Sequence, residues 1–318
     1  MKSIGCLLVG LRLLSLSVWG AESEFVPPEN VDYRVEDVWS EGVRLSAEIF
    51  SPGDNRAEKH PTIVMCHGWG GEARHLRSDA VLFAQNGFLV VTFDYRGWGA
   101  SDGRLIAADP LPRERAGEKL TLAVRELRGL VDPIEQTTDL LNVIHWLQGE
   151  PLCDPARIGL WGSSFSGGHV IYAAARDLRV KATVSQVPSM DGRWSIGTPQ
   201  LRQSSYDEAT GRTRGQRSYP AAGAQVVGNL KGAPVLEKMM RYAPVEDALR
   251  TAHCAKLIVI AENEELFDNR DHGIRFFEKA PGVKKLVTVP EIKHYGIYYE
   301  AREQAQQLAL DWFRQYLK

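Results

Sequence analysis

Short runs of apolar residues recur along this chain with helix-like stretches between them, and that alternation limits the fold more than any other feature. Thr62–Cys66 and Phe88–Phe93 are continuous apolar runs, as expected of parallel strands buried on both faces. The stretch His75–Asn86 between them reads as a crossover helix. Tyr33–Trp39 and Val43–Phe50 read as two opening strands around a Ser40-Glu41-Gly42 turn. The pattern resumes with strands at Arg157–Trp161, Lys181–Ser185, Lys256–Ala261 and Lys285–Val289, and closes with a helix over Ala301–Tyr316. An α/β fold with a mostly parallel sheet and helices on both faces follows. Asp132-Pro133-Ile134-Glu135 opens a further helix: Asp132 can cap it, Pro133 suits its first turn and Glu135 sits at a capping-box position. The polar stretch Gly103–Val131 reads as a loop plus a helix around Lys119–Leu130. Residues 188–249 carry no strand-like run and many Arg, Ser, Gly and Pro residues. That is too long for a structureless loop in a compact domain, so the expectation is a partly helical insertion forming a cap over the site.

Chemistry concentrates in Gly159-Leu160-Trp161-Gly162-Ser163-Ser164-Phe165-Ser166-Gly167-Gly168. A sharp strand-to-helix turn strains its central residue and pushes that side chain into the open. The positions two residues away on either side must then be very small. This register selects Ser164 as nucleophile, flanked by Gly162 and Ser166. Choosing Ser163 would place Trp161 at a small position.

A hydroxyl needs a base, and the base needs a third group to orient it. His294 follows the last core strand and precedes the closing helix. His272, in a charged run that reads as a solvated helix start, is the rival. The acid belongs in the loop Glu262-Asn263-Glu264-Glu265-Leu266-Phe267-Asp268 after strand Lys256–Ala261. Counting from the strand end gives Glu265, with Glu264 and Asp268 as alternatives. The glycines of His67-Gly68-Trp69-Gly70-Gly71 let backbone N–H groups face a tetrahedral intermediate, and the N–H groups of Trp69 and Phe165 are the expected oxyanion hole. His67 reads as a structural residue tying down that loop. Asp94-Tyr95-Arg96-Gly97-Trp98-Gly99 reads as a tight turn after a central strand. It lacks the third glycine and the lysine of a nucleotide loop, and Ser101 beyond it is a decoy.

Together these motifs resemble the α/β-hydrolase superfamily over residues 33–318. His67-Gly68-Trp69-Gly70, Asp94-Tyr95-Arg96-Gly97 and the Ser164 turn look like its dienelactone-hydrolase and Xaa-Pro-peptidase-like branch. The resemblance implies an eight-stranded, mostly parallel sheet and hydrolysis through an acyl-enzyme, with no metal or cofactor. Two departures stand out. Dienelactone hydrolases proper use cysteine where this turn has Ser164, and many relatives use aspartate where this loop offers Glu264 and Glu265. The expected activity is carboxylic-ester hydrolysis. A peptidase or amidase, or a non-catalytic binding protein of the same fold, is the alternative.

With 318 residues, 25% charged residues and a net charge of −2, nothing favours nucleic acid as a partner. The expected partner is a small ester or related acyl compound, and oligomeric state has no signature here. Met1-Lys2, an apolar run from Ile4 to Trp19 and then Gly20-Ala21 read as a signal peptide over residues 1–21, too short to span a membrane. The hydrolase domain then occupies 22–318, and export to the periplasm or medium is expected, with a cytoplasmic location as the alternative. Cys6, Cys66, Cys153 and Cys254 show no metal-ligand spacing. Cys66 is expected to be a buried thiol, and a Cys153–Cys254 pairing is left open.

Overall fold

The computed structural model describes residues 25–53, 58–110, 119–221, 225–227 and 230–318. Residues 1–24, on which the expected signal peptide and Cys6 fall, lie outside them. Eight strands form one sheet: β1 (Val31–Ser40), β2 (Val43–Pro52), β3 (His60–Cys66), β4 (Leu89–Phe93), β5 (Cys153–Ser163), β6 (Val180–Gln186), β7 (Ala255–Ala261) and β8 (Lys284–Val289). Their spatial order is β1-β2-β4-β3-β5-β6-β7-β8. β2 pairs antiparallel with both β1 and β4, and every other pairing is parallel. The hairpin joining β1 to β2 turns through Glu41 and Gly42, both at positive φ, the twist such a two-residue connection requires.

Strict alternation sorts the strand side chains between two helical layers. Ile63 and Met65 of β3, Trp161 of β5 and Leu257 and Val259 of β7 face one layer. That layer holds α1 (Arg77–Gln85) and α7 (Arg302–Tyr316), through Phe83, Trp312 and Phe313. Val64, Cys66, Leu89, Val91 and Leu160 face the other. It holds α2 (Pro133–Trp146) and α3 (Phe165–Ala174), through Leu140, Val143, Ile144 and Val170. Each such side chain contributes about 1.5–3 kcal/mol by leaving water. Asp132 caps α2 by accepting from the N–H groups of Ile134 and Glu135 at 3.0 and 3.2 Å. Cys66, Cys153 and Cys254 are free and buried, and burial pushes the Cys66 and Cys254 thiols up to about 12.

Two expectations are corrected. There is no helix at Lys119–Leu130: Val124–Leu127 pairs antiparallel with Arg104–Ala107. Long-range bonds hold that ribbon in place. Glu126 Oε1 accepts from the Gly103 N–H at 2.6 Å, and the Arg128 guanidinium donates to the carbonyls of Gly99 and Ser101. The segment between β6 and β7 is also not free of strands. It contains α4 (Pro199–Thr213), the one-turn α5 (Leu236–Met239), a hairpin of Gln225–Val227 with Leu230–Lys231, and Ala233–Pro234 running parallel to Leu130–Val131. The remaining helix, α6 (Gly273–Lys279), lies between β7 and β8. Among the described residues, no helix is long and apolar enough to cross a membrane.

One histidine ties α3 to its neighbours. His169 Nε2–H donates to Gln136 Oε1 of α2 at 3.2 Å, so Nδ1 accepts from the Tyr242 hydroxyl at 2.6 Å. Burial lowers its pKa from 6.5 to about 3. The unfolded chain takes up this proton near pH 6.5, whereas the folded chain resists until near 3. Its stabilising effect is therefore intact above pH 6.5 and declines as pH falls through that window. Urea unfolding at pH 7 and pH 5 should show the native chain losing about 2 kcal/mol more than His169→Gln does. Equal losses would mean that His169 is protonated in the fold.

Candidate active site

Ser164 sits between β5 and α3 with φ 58° and ψ −122°, backbone geometry that costs a side chain of this kind about 1–3 kcal/mol. The surroundings enforce it. The Ser164 N–H donates to Gln186 O at 2.8 Å, and its carbonyl accepts from Gly167 and Ser189, both at 3.0 Å. A Cβ on Gly162 would lie 2.3 Å from Ser166 O, so the turn closes only over glycine. Ser166 does more than stay small: its hydroxyl donates to Cys66 O at 2.7 Å and accepts from the Ser163 N–H at 2.9 Å, pinning the turn to the end of β3.

Ser164 Oγ lies 2.9 Å from His294 Nε2, and His294 Nδ1 lies 2.8 Å from Glu264 Oε2. A carboxylate can only accept, so Nδ1 carries the proton and Nε2 is free to accept from the Ser164 hydroxyl. The imidazole and carboxylate are enclosed, with side chains 1% and 2% exposed. Counting along the loop points to Glu265, whereas the structure puts Glu264 on the ring. Glu265 faces solvent, and its Oε2 accepts from the backbone N–H of His294 at 2.7 Å. Two consecutive glutamates thus grip one histidine, one on the ring and one on the main chain. Asp268 is far from this role: its carboxylate is clasped by Arg270, which lowers its pKa to about 2.

The other candidates have structural partners. His272 is not a solvated helix start. It is buried, its Nδ1 accepts from the Met190 N–H at 2.9 Å, and burial lowers its pKa. His67 is buried with Nδ1–H donating to Gly68 O at 3.0 Å and its ring against Tyr95. Ser101 Oγ donates to Asp94 O and accepts from the Ser46 N–H. Asp94 matters more than a turn residue would. Its carboxylate accepts from the N–H groups of Ala73 and Ala100 at 2.7 and 2.9 Å, joining the glycine loop after β3 to the loop after β4.

Gly68 lets that loop approach the nucleophile, since a Cβ there would stand 3.2 Å from Ser164 Cβ. Trp69 follows and packs its ring 5.3 Å from that of Phe165. Phe165 opens α3, and first-turn N–H groups have no acceptor within their own helix. Ser164 and His294 line a cavity of about 370 Å³ with Trp69, Trp161, Leu230 and Tyr298. This falls in the range of small-molecule sites. Leu230 comes from the inserted segment, whereas Met239 and Tyr242 of that segment are buried in the core. Among the described residues, no cluster of three or more His, Cys, Asp or Glu side chains could hold a metal ion.

If Glu264 orients the imidazole, Glu264→Gln should lower hydrolytic turnover by about 10²–10⁴-fold. Glu265→Gln keeps an acceptor for the His294 N–H and should stay within about tenfold of the native rate. The reverse ranking in steady-state rates would return the acid role to Glu265.

The pattern of the X-Pro dipeptidyl-peptidase (S15) family matches residues 41–254. That span covers the glycine loop and Ser164 and ends before Glu264 and His294. An Escherichia coli protein described as the "uncharacterized 31.7 kDa protein in traX-finO intergenic region" is 31% identical over 307 residues, spanning 87% of this chain and 97% of its own. Among solved structures, the α/β hydrolase GrgF from Penicillium sp. sh18 superposes with a TM-score of 0.71 at 19% identity, covering 90% of this chain and 99% of its own. An acetyl xylan esterase from Paenibacillus sp. R4 gives 0.61 at 17% identity, covering 92% and 86%. On its sequence and its fold, the chain belongs to the X-Pro dipeptidyl-peptidase (S15) family of α/β-hydrolase serine hydrolases.

Proposed function

We propose that this protein hydrolyses carboxylic esters of small acyl groups through an acyl-enzyme on Ser164. The observation that carries the reading is the chain from Ser164 Oγ to His294 Nε2 and from Nδ1 to Glu264, at 2.9 and 2.8 Å, opening onto the 370 Å³ cavity. Ser164 Oγ attacks the acyl carbon while His294 Nε2 takes its proton. Glu264 stabilises the imidazolium that results. The N–H groups of Trp69 and Phe165 receive the oxyanion, each worth about 3–4 kcal/mol of barrier. His294 then gives its proton to the departing alkoxide. Water repeats the sequence on the acyl-enzyme and frees the acid.

The family name favours a second reading, cleavage of peptides. One feature of the cavity speaks for esters. A peptidase that grips an amino terminus needs an uncommitted carboxylate. Among the described residues lining the cavity, the only carboxylate is Asp79, which accepts from Arg302 at 3.0 Å and from Gln306.

A fluorophosphonate probe should label Ser164, and Ser164→Ala should lose at least about 10³-fold in turnover of 4-nitrophenyl esters. Aminoacyl anilides should be poor substrates. Faster cleavage of the anilides would replace the ester reading with the peptidase one. Labelling without turnover of either class would make the chain a binding protein.

A further inference from the structure

A second polar group lies inside the cavity, away from the Ser164–His294–Glu264 chain. Ser163, Gln186 and Tyr298 all line it. Ser163 Oγ lies 2.8 Å from the Tyr298 hydroxyl and accepts from Gln186 Nε2 at 3.3 Å. The protons of this cluster can be counted. Each hydroxyl carries one proton, and the bond between them uses one. If Ser163 donates, the Tyr298 proton is left over. If Tyr298 donates, the Ser163 proton is left over. Among the described residues neither hydroxyl has a further acceptor. Ser163 and Gln186 are buried, and Tyr298, half-buried, lines the same cavity.

A buried donor without an acceptor is costly. Solvent can supply the acceptor while the cavity is open to water. An acyl group that displaces the water has to bring one of its own, or the site pays for the loss. Ser163 is the residue before the nucleophile, and Ser163 and Tyr298 both line the cavity that Ser164 opens onto.

We infer that the Ser163–Tyr298 hydroxyl pair selects acyl groups that carry a hydrogen-bond-accepting oxygen a few atoms from the scissile carbonyl, over alkyl chains of the same shape. This rests on the reading of Ser164 as an ester-cleaving nucleophile. The two hydroxyls act on choice of substrate and leave the acyl-transfer steps to Ser164, His294 and Glu264.

The test compares matched pairs in which one CH₂ becomes an ether oxygen: 4-nitrophenyl butanoate with methoxyacetate, and pentanoate with 3-methoxypropanoate. Each kcat/KM is divided by the same ester's rate with hydroxide, which removes the inductive effect of the oxygen. The native protein should prefer the ether member of at least one pair by about tenfold, the worth of one hydrogen bond. The double variant Ser163→Ala, Tyr298→Phe should bring that ratio close to one. The single variants identify which hydroxyl holds the spare proton. Circular dichroism and fluorophosphonate labelling of Ser164 establish that each variant is folded and assembled. If the double variant does not fold, a reduced ratio in either single variant serves as the supporting result. A native ratio near one, or a preference that the folded variants retain, overturns the inference while leaving the ester reading intact. Absence of any Ser164-dependent ester turnover overturns both.

Discussion

Everything at this site depends on a backbone held where it would not go by itself. Ser164 adopts a positive φ that an isolated serine avoids, and three main-chain hydrogen bonds from β6, α3 and the loop after β6 keep it there. The strain sets direction. It brings Oγ within reach of His294 and makes Phe165 the first residue of α3, where its N–H has no acceptor within the helix. Ser166 adds a clamp that glycine at this position would lack, because its hydroxyl spans the ends of β3 and β5. The glycine loop after β3 is tied to the turn by the same contact and to the loop after β4 by Asp94.

Such a site needs a sheet that does not shift, and the chain provides one with alternating apolar strands covered on both faces. Arg96 and Asp139 reinforce the nearer layer. The guanidinium and backbone N–H of Arg96 both donate to the Asp139 carboxylate, at 2.6–2.9 Å, and both side chains are buried. This fastens the loop after β4 to α2. Removing one partner of such a pair leaves a charge in the interior and costs about 3–5 kcal/mol. The Asp94-Tyr95-Arg96-Gly97 motif is therefore a pair of anchors, Asp94 toward the glycine loop and Arg96 toward α2.

What the sequence disclosed follows from the range of the forces involved. The parallel strands were legible because a strand buried on both faces must be apolar throughout, a property visible within a few residues. The register of Ser164 was legible because the sterics of the turn act over two residues. The ribbon at Arg104–Ala107 and Val124–Leu127 was not, because bonds from Arg128 and Glu126 to the loop after β4 decide its conformation, and a local window holds none of those partners. The short strands within the insertion escaped for the same reason: Ala233–Pro234 is a strand only because Leu130–Val131 lies beside it.

The acid shows the limit most sharply. Glu264 and Glu265 are chemically identical neighbours, and both contact His294. Only the direction each side chain takes from the loop separates them. Glu264 turns inward, with one carboxylate oxygen on the imidazole and the other accepting from the Leu266 N–H at 3.0 Å. Glu265 turns outward and reaches back to the main chain. The loop itself is held at both ends, by Glu262 accepting from the Glu291 N–H and by Asn269 donating to Ala261 O. Between those anchors the first of the two glutamates, and not the second, meets the ring. A count of residues from the strand end carries no information about that direction. Burial does, because a carboxylate that orients an imidazole has to exclude water to hold its charge against the ring, and of the two glutamates only Glu264 is enclosed.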